Sequence, residues 1–486
     1  MLTLDEVREF AKGLGTPCII PLVRVKDAKL RPTDVYAAIK EKSKHSFLLE
    51  SAIVGEKIAR YSFLGGSPEK IIKIKDGKIA VNGNESELKG NPASALRDFI
   101  GDYNIHKDHL PKFFGGLLGY FAYDTVRYFE DIGEDTTDDL GHDDAAFMFV
   151  KELVVFDHWR SELLLVSNLI IEDESRIDEE YENAVKKINE LEEITGSASS
   201  LTPALSEKKI EMESNFKPEE FMKCVERAKE YIFAGDIFQV VLSQRFECET
   251  KADPFGVYLA LKEINPSPYM YFLDFDGLEI VGSSPEILVK ADGSKVVLRP
   301  IAGTRPRGGD SVEDEALQRE MLNDPKERAE HVMLVDLGRN DLGRVSKFGS
   351  VVVDDFMTVE KYSHVQHIVS NVVGELQDGI DSIDALEASF PAGTVSGAPK
   401  VRAMQIIEEL EPTKRGAYAG SVGYFAFNKD MDFAITIRTI FMQNGKAYIQ
   451  AGAGIVADSV PEREYEECMN KGKGMMRAIE LAGDKH

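Results

Sequence analysis

The chain has 486 residues, 43% hydrophobic and 9% aromatic, enough apolar material for a sizeable core and for two or three packed units at about 150 residues each. Asp and Glu outnumber Lys and Arg by 84 to 58, a net charge of −26 that speaks against nucleic acid or an anionic membrane as a partner and leaves room only for a local basic pocket. The four cysteines, Cys18, Cys224, Cys248 and Cys468, form no CxxC pair and no metal-ligand spacing, which fits a reducing, cytoplasmic setting.

The N-terminus, MLTLDEVREFAKGL, reads as an amphipathic helix with acidic residues inside it, unlike a signal peptide. No apolar run approaches the roughly 18 residues that a membrane helix needs. Residues 45–75 read as short strands broken by Gly and Pro, and FFGGLLGYFAYD at 113–124 as a further buried strand with a bend. An acidic, turn-prone stretch covers 129–144, and a charged helical segment runs from 172 to 193 into TGSASSLTPALSEKK. This composition suggests a sheet-rich N-terminal region over 1–195, a linker or surface loop at 196–215 and a catalytic region over 216–486. In the last region a helix, a Gly-Asp break and a strand are followed by strands at YMYFLDFDGLEIVGSSP, KVVLRPIAG, VVVDDF, SVGYFAF, FAITIRTIFM and KAYIQAGAG. Helices are expected at 314–343, 381–389, 397–410 and 459–482. Strands adjacent to strands predict an α+β fold with large antiparallel sheets and not regular βαβ alternation.

Two glycine motifs mimic nucleotide sites. GAGIVA at 452–457 has dinucleotide-type spacing after a strand, but the helix signal at Asp458, Ser459 and Pro461 comes several residues too late to meet a pyrophosphate. GTVSGAPK at 393–400 has its glycines one residue too close for a phosphate loop and Val401 where Ser or Thr would hold magnesium. More informative are two Glu pairs at a spacing of three, Glu327 with Glu330 and Glu464 with Glu467, each placing two carboxylates on one helical face. The commonest fate of such a pair is a solvated surface. On the second helix, however, Glu464, Glu467 and Lys471 border an apolar stripe of Tyr465, Cys468, Met469, Gly472, Met475 and Met476, a position at the rim of a cleft. One Glu from each helix would suit Mg2+, which takes one or two protein carboxylates and fills its other positions with water and substrate oxygens. Polar residues beside predicted strand ends complete the set: Gly303 and Thr304, Thr394, Tyr418, Arg438, and Gly452 to Gly454. Backbone N–H groups and a guanidinium there can converge on carboxylates.

PIAGTRPRG, HVMLVDLGRNDLGRV, GTVSGAPK, ITIRT, QAGAGIVADS and PEREYEE occur in the order found in the chorismate-utilising enzymes. Over about 220–480 the sequence resembles that family, and within it the component I group of anthranilate synthases. The resemblance implies two antiparallel sheets packed together with helices outside. It implies Glu330 and Glu467 as magnesium ligands with Glu327 and Glu464 in support, and Gly303, Thr304, Tyr418, Arg438, Gly452, Ala453, Gly454 and Lys471 around chorismate. It also implies Glu286, in SSPEILV, as the general acid for the leaving hydroxyl, with His367 and Thr394 in the same catalytic pocket.

Within the family, relatives that add water carry a Lys base where this chain has Gln239, and aminodeoxychorismate synthases typically carry a nucleophilic Lys where it has Ala302. Both positions favour direct addition of ammonia, giving anthranilate and pyruvate. LLES at 48–51 and NPSPYM at 265–270 resemble the tryptophan feedback site of anthranilate synthases. They imply Leu49, Glu50, Ser51, Asn265, Pro268, Tyr269 and Met270 as an allosteric site for L-tryptophan. Aminodeoxychorismate synthase component I and a catalytically silent tryptophan-binding regulator remain the alternatives. No cysteine sits in a sharp Gly-flanked turn, so a separate glutaminase subunit, component II, is expected to supply ammonia in a hetero-oligomer.

Overall fold

The computed structural model describes residues 1–51, 60–107, 110–201, 207–361 and 365–482. Residues 52–59 of the first strand region and 202–206 of the expected linker lie outside the described residues. Among the described residues the strands form two sheets of 13 and 12 strands, and every pairing between named strands is antiparallel except the short one of Asn104–Ile105 with Cys18–Asp27. The fold is α+β, with helices on the outside.

Both sheets are shared by the two ends of the chain. In the first, Tyr269–Phe275 pairs with His45–Glu50 in the register Met270↔Glu50, joining C-terminal strands to N-terminal ones. In the second, Ser421–Ala426 pairs with Gly116–Phe121. The regions 1–195 and 216–486 are therefore segments of sequence that complete each other's sheets. Between the sheets lies an aromatic-rich core in which Phe63 meets Tyr424 at 6.0 Å and Tyr120 meets Phe275 at 5.8 Å between ring centroids. Such face-to-face packing follows from alternation of side chains along each strand. Helices including Leu4–Leu14, Pro32–Glu41, Ile177–Ser197, Pro254–Ile264 and Pro461–Ala482 bury a second cluster against the outer face of the first sheet.

Local chemistry explains most boundaries. Thr3 and Glu6 close a capping box on the first helix. Asp276 and Gly277, both at positive φ, turn the hairpin of Tyr269–Phe275 and Leu278–Ser284 as a D-G pair should. The single helix expected at 314–343 is two, Ser311–Asn323 and Pro325–Gly343. Asp324 ends the first and caps the second, accepting from the N–H groups of Lys326 and Glu327, and Pro325 occupies the first helical position, where its missing N–H costs nothing. The expected helix at 397–410 begins at Lys400, after the cavity-side turn Gly393–Val395 and the two-residue strand Gly397–Ala398. Lys400 pairs with Asp341 at 2.8 Å instead of facing a phosphate loop, and the glycines of 452–454 lie inside the strand Lys446–Ile455. Among the described residues no helix is long and apolar enough to cross a membrane.

Candidate active site

The chain changes sheets twice at one place. Leu278–Ser284 belongs to the first sheet and Ile287–Asp292 to the second; Met431–Ile435 belongs to the second and Thr439–Gln443 to the first. Glu286 stands on one crossing and Arg438 on the other. The crossings are tied together: Ser283 N–H donates to the Arg438 carbonyl at 3.1 Å, Ile435 N–H to the Glu286 carbonyl at 3.0 Å, and Ser284 Oγ to the Ile435 carbonyl at 2.7 Å. Arg438 is held at φ +53°, a left-handed conformation costing a non-glycine residue on the order of 1 kcal/mol. Such strain persists where surrounding structure fixes it, often at a functional site.

Beside the crossings opens a cavity of 590 Å³. Its walls come from Gln239–Glu249 and Lys446–Ile455 of the first sheet, from Ile301–Pro306 and Val365–Glu375 of the second, and from the helices Pro325–Gly343 and Pro461–Ala482. Glu286, His367, Thr394, Gly303, Thr304, Tyr418, Arg438, Gly452, Gly454, Lys471, Glu327, Glu330, Glu464 and Glu467 all line it. Ala453 does not. Strand alternation turns its methyl into the core cluster with Phe221 and Leu242, so only its backbone can serve a ligand. Gly452 is required by close approach, since a Cβ there would stand 2.8 Å from the Leu242 carbonyl and 3.0 Å from the Tyr418 hydroxyl. Gln239 and Ala302, the two discriminating positions, also line the cavity.

The electrostatics divide the site. Burial pushes the Glu286 carboxyl up from 4.5 to about 8, with the Thr394 hydroxyl and Lys471 pulling the other way. It is therefore a protonated acid at neutral pH. Burial lowers His367, whose Nδ1 lies 3.1 Å from the Gly303 carbonyl and 3.0 Å from Thr304 Oγ1, so the ring is neutral there. Burial also lowers Arg438, although it stays cationic, and no carboxylate among the described residues pairs with it. A guanidinium in that state suits a carboxylate-bearing ligand. Lys471 donates to the Gly452 carbonyl at 2.9 Å and pairs with Glu467 at 2.7 Å.

The two Glu pairs meet across the cavity. Glu330 is pushed up by burial and then by Glu327 and Glu467, and Gln239 Nε2 is its weak donor at 3.4 Å. Glu464 is likewise pushed up by burial and by Glu467. Glu327 is already held by Arg305 at 2.8 Å. Arg305, in PIAGTRPRG, is not among the site residues expected from the sequence. Crowded, partly desolvated carboxylates of this kind are relieved by a divalent cation. No group of three or more metal-ligating side chains stands assembled among the described residues. Mg2+ needs only one or two protein carboxylates, so the donor set fits it.

A second cavity, of 110 Å³, lies where His45–Glu50 and Tyr269–Phe275 face Ser421–Ala426. Leu49, Glu50, Ser51, Pro268, Tyr269 and Met270 line it. Ser51 Oγ is buried without a partner among the described residues, and the Tyr269 hydroxyl donates to Asp432 at 3.0 Å. The Glu50 carboxylate is engaged elsewhere, by Lys262 Nζ at 2.8 Å and by the Tyr258 hydroxyl. Asn265 is not brought to this cavity: it ends the helix Pro254–Ile264, and its Nδ2 donates to Ser283 Oγ at 3.2 Å.

The chain is 48% identical over 494 residues to anthranilate synthase component 1 of Acetivibrio thermocellus, covering 99% of each chain. It is 44% identical over 459 residues to aminodeoxychorismate synthase component 1 of Bacillus subtilis, covering 93% of this chain and 95% of that one. The crystal structure of anthranilate synthase component I from Streptococcus pneumoniae superposes with a TM-score of 0.79 at 40% identity, over 87% of this chain and 94% of that one. Residues 82–477 match the family described as chorismate binding enzyme, and the chain belongs to that family.

Proposed function

We propose that the chain is an anthranilate synthase component I, converting chorismate and ammonia to anthranilate, pyruvate and water. The observation that carries the reading is Glu286: a carboxyl kept protonated at neutral pH, in one cavity with Arg438, which forms no ion pair among the described residues. Chorismate has two carboxylates, a ring hydroxyl and an enolpyruvyl ether. Arg438 and Lys471 hold carboxylate oxygens, and the backbone at Gly452 to Gly454 leaves room for them. Hydroxide is a poor leaving group, so Glu286 gives it a proton and the hydroxyl departs as water. Ammonia's nitrogen bonds to the ring as that C–O bond opens. Loss of a ring proton, for which neutral His367 is the candidate base, and of the enolpyruvyl group as pyruvate then leaves an aromatic amine. Glu330 and Glu467, with Glu327 and Glu464 beside them, would hold Mg2+, which when bound fixes a substrate carboxylate and absorbs negative charge.

Ala302 and Gln239 support ammonia as the nucleophile: neither side chain can attack the ring or deprotonate water. Ammonia would come from a glutaminase subunit, because burial raises every cysteine here, Cys248 to about 11 and Cys468 to about 12, which leaves no thiolate for glutamine hydrolysis. The smaller cavity, where the Ser51 hydroxyl has no partner among the described residues, would take L-tryptophan as a feedback inhibitor. The Bacillus subtilis relative makes aminodeoxychorismate synthase the second reading, against which Ala302 counts. Purified chain given chorismate, ammonium and Mg2+ tests both by product fluorescence and mass. Anthranilate with released pyruvate is expected; a product that keeps the enolpyruvyl group would overturn the reading.

A further inference from the structure

A buried ion pair stands directly behind the cavity, and no step of the chemistry uses it. Arg415 and Glu411 are 3% and 5% exposed. Arg415 Nε donates to Glu411 Oε2 at 2.9 Å and Nη2 to Oε1 at 2.6 Å, a two-pronged pairing. The same guanidinium donates to two backbone carbonyls, Nη1 to Val395 and Nη2 to Val241, each at 2.7 Å. Its Cζ lies over the rings of Tyr123 and Tyr418, 4.7 and 5.7 Å from their centroids. Glu411 Oε1 accepts from the N–H and the hydroxyl of Ser243 at 2.8 and 2.9 Å, and Ser243 Oγ accepts from Gln450 Nε2 at 2.9 Å. Val241, Val395, Tyr418 and Gln450 are all cavity-wall residues.

Stability alone does not account for this pair. Well-packed apolar residues of the same volume are often as stabilising as a buried salt bridge, because desolvation offsets the Coulomb gain. The turn also has its own backbone tie to the strand, Val241 N–H to the Ser396 carbonyl at 2.8 Å. What apolar side chains cannot supply is a set of directional bonds that fixes three wall segments relative to one another. We propose that Arg415, oriented by Glu411, is a positioning residue: it locks the Thr394–Val395 turn against Val241 and the Tyr418 ring, and so fixes Thr394 in the cavity wall it shares with Glu286. This role rests on the reading of the cavity as the chorismate site.

Two variants test it. Arg415→Lys keeps the charge, but one ammonium cannot make the forked pairing and reach both carbonyls. Glu411→Gln with Arg415→Met removes both charges together, leaving no lone buried ion. Steady-state kcat and KM for chorismate, with ammonium and Mg2+, are measured beside a thermal melt, and Thr394→Val is added in each background. With the melt near that of the parent, kcat should fall at least about tenfold, the scale on which sub-ångström misplacement acts. Thr394→Val should lower kcat in the parent and much less in either variant, because the turn has already slackened. A folded variant with parental kcat, or a Thr394→Val effect of the same fold in every background, overturns the proposal. If the double replacement does not fold, Arg415→Lys decides by the same criteria. Absence of turnover in the parent chain would remove the reading of the cavity, and the positioning role with it, before any variant is compared.

Discussion

Replacing Glu286 by Gln keeps the shape of the side chain and removes its proton. Glu286 as a residue is 9% exposed, and the shift of its carboxyl from 4.5 to about 8 is caused chiefly by burial. At pH 7 a carboxyl at about 8 is roughly 90% protonated, whereas one at its ordinary value would be protonated well under about 1% of the time. Burial therefore supplies an increase of more than about a hundredfold in available acid, and the Gln variant should lose about 10² to 10⁴ in kcat with little change in KM. The wild-type kcat should be level up to neutrality and fall about tenfold per pH unit above about 8, as the donating form disappears. The stability effect has a definite sign. The folded state holds a proton that the unfolded chain releases above 4.5, so this group's contribution is full below that pH and is lost as pH rises through about 8. That interval corresponds to a loss on the order of 5 kcal/mol. The Gln variant should therefore melt above wild type at alkaline pH, with the difference closing toward pH about 5. Stopped-flow anthranilate formation and paired melts across this range read both effects. A defect confined to KM, or a melting difference independent of pH, would refute Glu286 as a buried protonated acid.

Glu330→Gln or Glu467→Gln should nearly abolish turnover while the chain still folds. Mg2+ at ten times its Kd should stabilise wild type by about 1.4 kcal/mol and either variant far less, so melts with and without Mg2+ check the ligand assignment apart from activity. Ser51→Phe, which fills part of the 110 Å³ cavity, should relieve tryptophan inhibition and spare kcat. In the wild type, calorimetry should show chorismate weakening tryptophan binding by the factor with which tryptophan weakens chorismate binding. Supplied with each nitrogen donor in turn, the highly purified chain should use ammonium and not glutamine; anthranilate from glutamine without a partner would contradict the two-subunit scheme.

Spacing and residue type were enough to read the local parts of this protein. Glu327 with Glu330 and Glu464 with Glu467 are one-face pairs by helical geometry alone. Pro325 carried the signal for a helix break that the apolar periodicity of 314–343 obscured. The α+β class was legible because strands adjoin strands in sequence. Only the tertiary structure decided what depends on long-range pairing. Glu50 and Met270 become neighbours through a register no local pattern encodes, and Lys262 of the helix Pro254–Ile264 engages Glu50. Ala453 is carried into the core, Asn265 away from the smaller cavity, and Glu327 into the grip of Arg305. The acidity of Glu286 is the clearest case. Its residue type and motif are in the sequence, but the proton it keeps is a consequence of desolvation, and the walls that exclude water come from strands and helices distant in the chain.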